Sequence, residues 1–206
     1  MKFPLKSFGG GAAYWSAYIH EVATAAQAVD PTSVERAATL LADVFEAGRT
    51  LYVCGNGGSA AICNHLLCDF AKGIQTDTII KPRVVSLSAH LEMITAIGND
   101  FSFEEIFAYQ LQTFGRPGDA VLTISASGNS ENIVRALEWA RNNRLASIAL
   151  TGFEGGRSAK LADFNIHVPA HNYGVVEDVH QSIMHVFAQY LRMRSMDAEL
   201  IATRSF

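Results

Sequence analysis

The sequence predicts an α/β protein built on a mainly parallel sheet with helices on both faces. Two observations predict it. Short apolar runs alternate with amphipathic helical stretches along 206 residues, as in a chain of strand–helix units. Two of those runs, Leu51–Cys54 and Val121–Ile124, pass straight into Gly/Ser-rich turns that open a helix.

Each element follows from local pattern. Tyr14, Tyr18, Ile19, Val22, Ala25, Ala26 and Val29 recur at helical spacing, so residues from about 12 to 29 read as an amphipathic helix. Asp30-Pro31 breaks it, and a second helix starts at Ser33 and ends near Gly48. Strand Leu51–Cys54 leads into a helix from Ser59 to about Lys72. Arg83–Leu87 is the next strand, with a helical stretch before Gly98-Asn99-Asp100 and a helix over Phe101–Phe114. Gly115-Arg116-Pro117-Gly118-Asp119 is a turn by composition. Strand Ala120–Ile124, helix Glu131–Asn143, strand Ser147–Thr151, a Gly155-Gly156 turn and strand Asn165–Val168 follow. A long helix from about 175 to 196 ends the pattern, with two helices over about 12–48 before an α/β core of about 51–170. We expect residues 1–206 to form one domain.

Composition narrows the function classes. No run approaches the roughly 18 apolar residues that cross a bilayer. Met1-Lys2-Phe3-Pro4 opens no apolar segment with a small-residue cleavage site, so no secretion signal is expected. A net charge of −4 without a basic cluster argues against nucleic acid as the main partner. Cys54, Cys63 and Cys68 make neither a metal-type pair nor an even framework, and read as free buried thiols in a reducing cytoplasm.

The chemistry concentrates at the two turns. Gly55-Asn56-Gly57-Gly58-Ser59 and Ser125-Ala126-Ser127-Gly128-Asn129-Ser130 each open a helix, whose free N–H groups and dipole favour an anion. Glycines let the backbone approach a ligand, and serine hydroxyls add uncharged donors. Two such turns in one small α/β protein suggest a sugar phosphate held between them, at the carboxyl ends of the strands. A dinucleotide fold fits poorly: the first turn has alanine in the third glycine's place, and no acidic strand end lies about 20 residues on. Asn99 and Asp100 read either as a helix N-cap or as ligand contacts.

A second set stands at helical spacing. His65 and Asp69 lie four apart on the helix leaving the first turn, and the last helix carries Glu177, His180, Gln181 and His185. Two histidines with carboxylates on two helices suit a divalent metal such as zinc, suit acid–base work, or simply hydrogen-bond within a core.

Cys54-Gly55-Asn56-Gly57-Gly58-Ser59, Gly98-Asn99-Asp100, Ile124–Ser130, Leu150-Thr151-Gly152 and the helix bearing His180 and His185 resemble the sugar isomerase (SIS) fold, and within it the phosphoheptose isomerases. The resemblance spans nearly the whole chain, so it implies a single SIS domain over 1–206. It implies an aldose–ketose isomerase that converts sedoheptulose 7-phosphate to glycero-manno-heptose 7-phosphate, toward lipopolysaccharide heptose. It also implies a cytoplasmic homotetramer with zinc at subunit interfaces. By position, Asn56, Gly57, Gly58, Ser59, Asn99, Asp100 and Glu177 would contact substrate, and Ser125, Ala126, Ser127 and Ser130 would cradle its phosphate. His65, Asp69, Glu177 and His185 would hold the metal, with Asp69 and His185 moving protons. Two positions depart from the family: Asp69 replaces a glutamate, shortening the arm by about 1.5 Å, and Glu177 replaces a glutamine.

Other SIS proteins are non-catalytic scaffolds for a replication initiator, which keep the phosphate turns and lose the acid–base residues. Retention of His65 and His185, with the carboxylates Asp69 and Glu177 at the other two ligand positions, favours the enzyme over that alternative. A sugar-phosphate-sensing regulator would need a DNA-binding domain for which the chain has no room. Tyr14, Trp15, Tyr18 and Ile19 on the first helix, and Phe187, Tyr190 and Leu191 on the last, are expected to meet partner subunits.

Overall fold

The computed structural model of the chain describes residues 2–206. Five strands form one sheet: β1 (Thr50–Gly55), β2 (Arg83–Ser86), β3 (Ala120–Ser125), β4 (Ala146–Thr151) and β5 (Phe164–His167). All neighbours are parallel, in the order β2-β1-β3-β4-β5, with Leu51 opposite both Val84 and Ala120. β1 and β3 are buried along their whole length, which is why their sequences are apolar without alternation.

Successive residues still separate by face. Leu51 and Val53 join Leu41, Phe45, Leu66, Phe70 and Phe187 on one side. Tyr52 and Cys54 join Ile97, Phe107, Leu111 and Leu137 on the other. The first core is covered by α2 (Pro31–Glu46), α3 (Gly58–Cys68) and α8 (Tyr173–Ser195). The second is covered by α4 (Leu91–Asp100), α5 (Ala108–Phe114) and α6 (Glu131–Asn142). Helix α1 (Gly11–Gln27) lies outside, packed on α8, with Ala25 its one buried residue.

This strand order places a topological switch between β1 and β3. The chain leaves β1 toward β2 on one side and leaves β3 toward β4 on the other, so their carboxyl ends diverge and open a crevice. Both Gly/Ser turns lie there.

Several elements differ from the sequence pattern. Asp30 accepts from the Thr32 amide at 2.9 Å, so Asp30-Pro31 caps and starts α2 rather than only ending α1. The helix after β1 changes at Asp69 to a π-helical turn, Asp69–Ile74, of the kind that collects at functional positions. Phe101–Phe114 is not one helix. Ser102 is extended, a 3₁₀ turn covers Phe103–Glu105, and the chain then turns Ile106 and Phe107 into the core before α5. Asn99 and Asp100 are the last residues of α4, so the N-cap reading fails for both. Two short helices, α7 (Ser158–Leu161) and α9 (Ala198–Ile201), had no periodicity long enough to show. Cys54 and Cys63 are buried and burial pushes both thiols up, whereas Cys68 is exposed. Among the described residues no helix is long and apolar enough to cross a membrane.

Candidate active site

The first turn enters α3 through Gly57, whose φ of 53° favours glycine. Gly58 follows with no room for a side chain, because a Cβ there would collide with the Glu177 carboxylate. The second turn is braced from behind. Gly128, at φ 65°, packs against the backbone of Gly155, and the Ser158 amide donates to the Gly128 carbonyl at 2.9 Å. The Gly155-Gly156 turn therefore supports the second Gly/Ser turn, a role its sequence did not announce. The two turns are tied together by a reciprocal amide pair, Asn56 and Asn132, with both hydrogen bonds at 2.9 Å.

Between them lies a cavity of about 130 Å³, lined by Asn56, Ser59, Ser125, Ser127, Ser130 and Glu177 among others. Ser130 is the N-cap of α6, yet its side chain makes no capping bond. The lining carries no lysine or arginine, so an anion would be held by hydroxyls, backbone N–H groups and helix dipoles. Glu177 is the one ionisable carboxylate on that wall, and burial, then the neighbouring Asp178 charge, raises its pKa.

Two turns further along α3 stands the second set. His185 Nδ1 lies 3.0 Å from Asp69 Oδ2, and His65 Nε2 lies 3.4 Å from Asp69 Oδ1. The Gln181 amide nitrogen is 3.0 Å from both His65 Nδ1 and His185 Nε2, which closes a ring of four side chains. The two imidazoles cross edge to face at 5.0 Å between centroids. Ligand atoms of His65, Asp69 and His185 all fall within 4.8 Å of one another, so two imidazoles and a carboxylate converge as a divalent ion requires. A cavity of about 470 Å³ opens beside them, walled in part by Lys72, Arg192 and Phe206.

Three of the four expected metal ligands are thus brought together and one is not. Glu177 stands two turns before His185 on α8, on the wall of the serine-lined cavity, and Gln181 occupies the intervening turn beside the histidines. The stripe 177, 181, 185 was visible as helical spacing, but spacing does not say which rung meets α3. His180 points elsewhere: it is buried, its Nε2 lies 3.2 Å from the Thr151 carbonyl, and burial lowers its pKa to about 4. Asn99 and Asp100 do not reach the cavity within one chain; both are exposed and bonded to each other at 2.8 Å.

Comparison with known proteins bears on this geometry. A family model described as the SIS domain matches residues 14–152. The phosphoheptose isomerase of Shewanella loihica is 35% identical over 82% of this chain and 87% of its own length. That of Shewanella denitrificans is 38% identical over 75% of this chain and 80% of its own. The solved structure of a phosphoheptose isomerase from Francisella tularensis superposes with a TM-score of 0.81 at 30% identity, covering 88% of this chain and 96% of that one.

Proposed function

This chain belongs to the SIS-domain phosphoheptose isomerases, and from that premise we propose how its own residues act. We infer that it interconverts sedoheptulose 7-phosphate and glycero-manno-heptose 7-phosphate, as one SIS domain over residues 1–206, in the cytoplasm, supplying heptose for lipopolysaccharide. The observation that carries the reading is a separation. Ser59 and His65 are six residues apart on α3, roughly 9 Å along its axis. An open-chain sugar phosphate spans that gap with its phosphate in the serine cavity and its carbonyl end at the His/Asp ring. A bare phosphate does not.

Ser125, Ser127 and Ser130, with the first amides of α3 and α6, hold the phosphoryl oxygens and supply binding energy remote from the reacting carbons. Ala126 lines the same wall where the family often carries a hydroxyl. Isomerisation moves one proton between carbons 1 and 2 through an enediol. Asp69 is the carboxylate placed to take that proton and return it to the neighbouring carbon, and His185, 3.0 Å away, exchanges the hydroxyl proton. His65, Asp69 and His185 would hold zinc or a similar divalent ion, with the Gln181 amide beside them; such an ion polarises the substrate carbonyl. Asn99 and Asp100 lie outside the cavity of their own chain, so their contact with substrate would come from another subunit.

A homotetramer fits the exposed apolar surface. Trp15 is 64% exposed on α1, and Phe101 and Phe103 are 62% and 57% exposed at the end of α4. Phe187 and Leu191 are fully buried in their own chain, so α8 contributes less to this surface than its sequence suggested.

Calorimetry with the sugar phosphate tests the anchor. Replacing Ser127 and Ser130 by alanine should weaken binding by roughly 1.5–3 kcal/mol for each lost charge-assisted bond. Unchanged affinity in the double variant would remove the phosphate from this cavity. Metal analysis of the same protein should find about one divalent ion per chain, lost in His65→Ala and His185→Ala.

A further inference from the structure

A second cavity system lies at the opposite end of the sheet from the phosphate turns. A groove of about 500 Å³ runs along the start of β1 and β2, past Tyr52, Arg83, Phe114 and Arg116. A neighbouring pocket of about 320 Å³ shares those four side chains and adds Arg49. Thr50 and Arg83 open their strands, whereas the phosphate turns follow Gly55 and Ser125, so β1 alone separates the two sites by roughly 17 Å. No residue lines both this groove and the phosphate cavity.

The charge there is unbalanced in an acidic protein. Arg135, Arg157, Arg192, Arg194 and Arg204 each have a carboxylate partner. Among the described residues, Arg36, Arg49, Arg83, Arg116, Arg141 and Arg144 have none within ion-pair distance, and three of these six, Arg49, Arg83 and Arg116, gather in this one cavity system. Arg116 donates to the Gly115 carbonyl at 2.9 Å, and the nearest acceptor to Arg49 is the Pro117 carbonyl at 3.5 Å. The one carboxylate in the lining, Asp119, is 5% exposed and accepts the Thr50 and Arg116 amides, each at 2.9 Å. It holds the turn together and pairs with none of the guanidiniums; Arg116 Nη1 also donates to the Thr113 carbonyl at 3.4 Å, while its other nitrogens and the Arg83 fork make no hydrogen bond within the described residues. Guanidinium groups match phosphate oxygens two at a time.

The rest of the lining mixes Thr50 and Thr113 with the β2 edge at Val84 and Val85 and with aromatic rings, of which Phe114, 39% exposed, stands 6.5 Å from the His90 ring. A volume in the range of small-ligand pockets, three unpaired guanidiniums and an aromatic wall together suit a ligand with at least two negative charges and a flat ring. We propose that this groove binds a nucleoside diphosphate, with its phosphates on Arg49, Arg83 and Arg116 and its base against Phe114. The proposal is independent of the catalytic reading, because it uses none of the same residues.

Calorimetry of the full chain with ADP tests it, with inorganic phosphate and adenosine as the two partial probes. ADP should bind, and both partial probes should bind at least tenfold more weakly. Arg83→Glu should lower ADP affinity tenfold or more. Arg83→Gln should lower it less, and both substitutions fall on an exposed side chain with no intramolecular ion pair. The Ser127→Ala, Ser130→Ala variant should bind ADP as the parent does. Absence of ADP binding, equal binding by Arg83→Glu, or phosphate binding as tight as ADP in the Ser127→Ala, Ser130→Ala variant, whose serine cavity is disabled, would each overturn the proposal. Loss of ADP binding in the serine variant would do so too, since it would place the nucleotide in the phosphate turns.

Discussion

Glu177 is the residue whose charge most opposes an anion in the serine-lined cavity. A carboxylate on the wall of an anion cavity opposes the ligand when ionised, and burial already raises its pKa. Protonated, below its folded pKa, it donates a hydrogen bond to an anion; above that pKa it repels one. Phosphate affinity should therefore fall as pH rises through that value, beyond what the phosphate's own titration explains. Glu177→Gln should remove the extra dependence and tighten phosphate binding at high pH by roughly tenfold, about 1.4 kcal/mol. Parallel calorimetric pH series on the two proteins decide this, and superimposable curves would mean that Glu177 does not face the anion. Asp69 opens the π turn, and its carboxylate lies 3.4 Å from His65 and 3.0 Å from His185.

Among the elements, the two Gly/Ser turns depend on backbone that only glycine supplies. Gly128 combines a φ of 65° with a Cβ position that the Gly155 backbone already fills. Gly128→Ala should cost about 2–4 kcal/mol of stability from backbone strain and overlap together, read as a lower urea midpoint. An unshifted midpoint would show the turn to be looser than described. These turns were legible in the sequence because glycine and serine directly after a buried strand have few other uses. The strands were legible for the same reason that their order was not: each is a continuous apolar run, and nothing in such a run records its neighbour. The order β2-β1-β3-β4-β5, which makes the crevice, comes from long-range packing. The break at Ser102 and the split of the 177–181–185 stripe also needed the packed structure, since a helical repeat presents equivalent rungs until a second helix selects among them.

At the scale of the whole molecule, the sheet brings an anion cavity and an acid–base ring within one sugar-phosphate length, while the outer surface leaves aromatic residues uncovered. Trp15 on α1 and the Phe101–Phe103 corner are exposed apolar surface, and we propose that they meet partner subunits. Light scattering should give a tetramer mass, and Trp15→Glu should shift it to smaller species; a monomeric parent would contradict the subunit contribution of Asn99 and Asp100 as well. We propose that Asp69, within the ring formed with His65, Gln181 and His185, moves the substrate proton. NMR of sedoheptulose 7-phosphate incubated with the protein in deuterated water reads that step directly. The parent should form the aldose phosphate with deuterium entering at carbon 2, and Asp69→Asn should lose both by about 10²–10⁴-fold while still binding the sugar phosphate. No conversion by the metal-loaded parent, or full conversion by Asp69→Asn, would contradict the account.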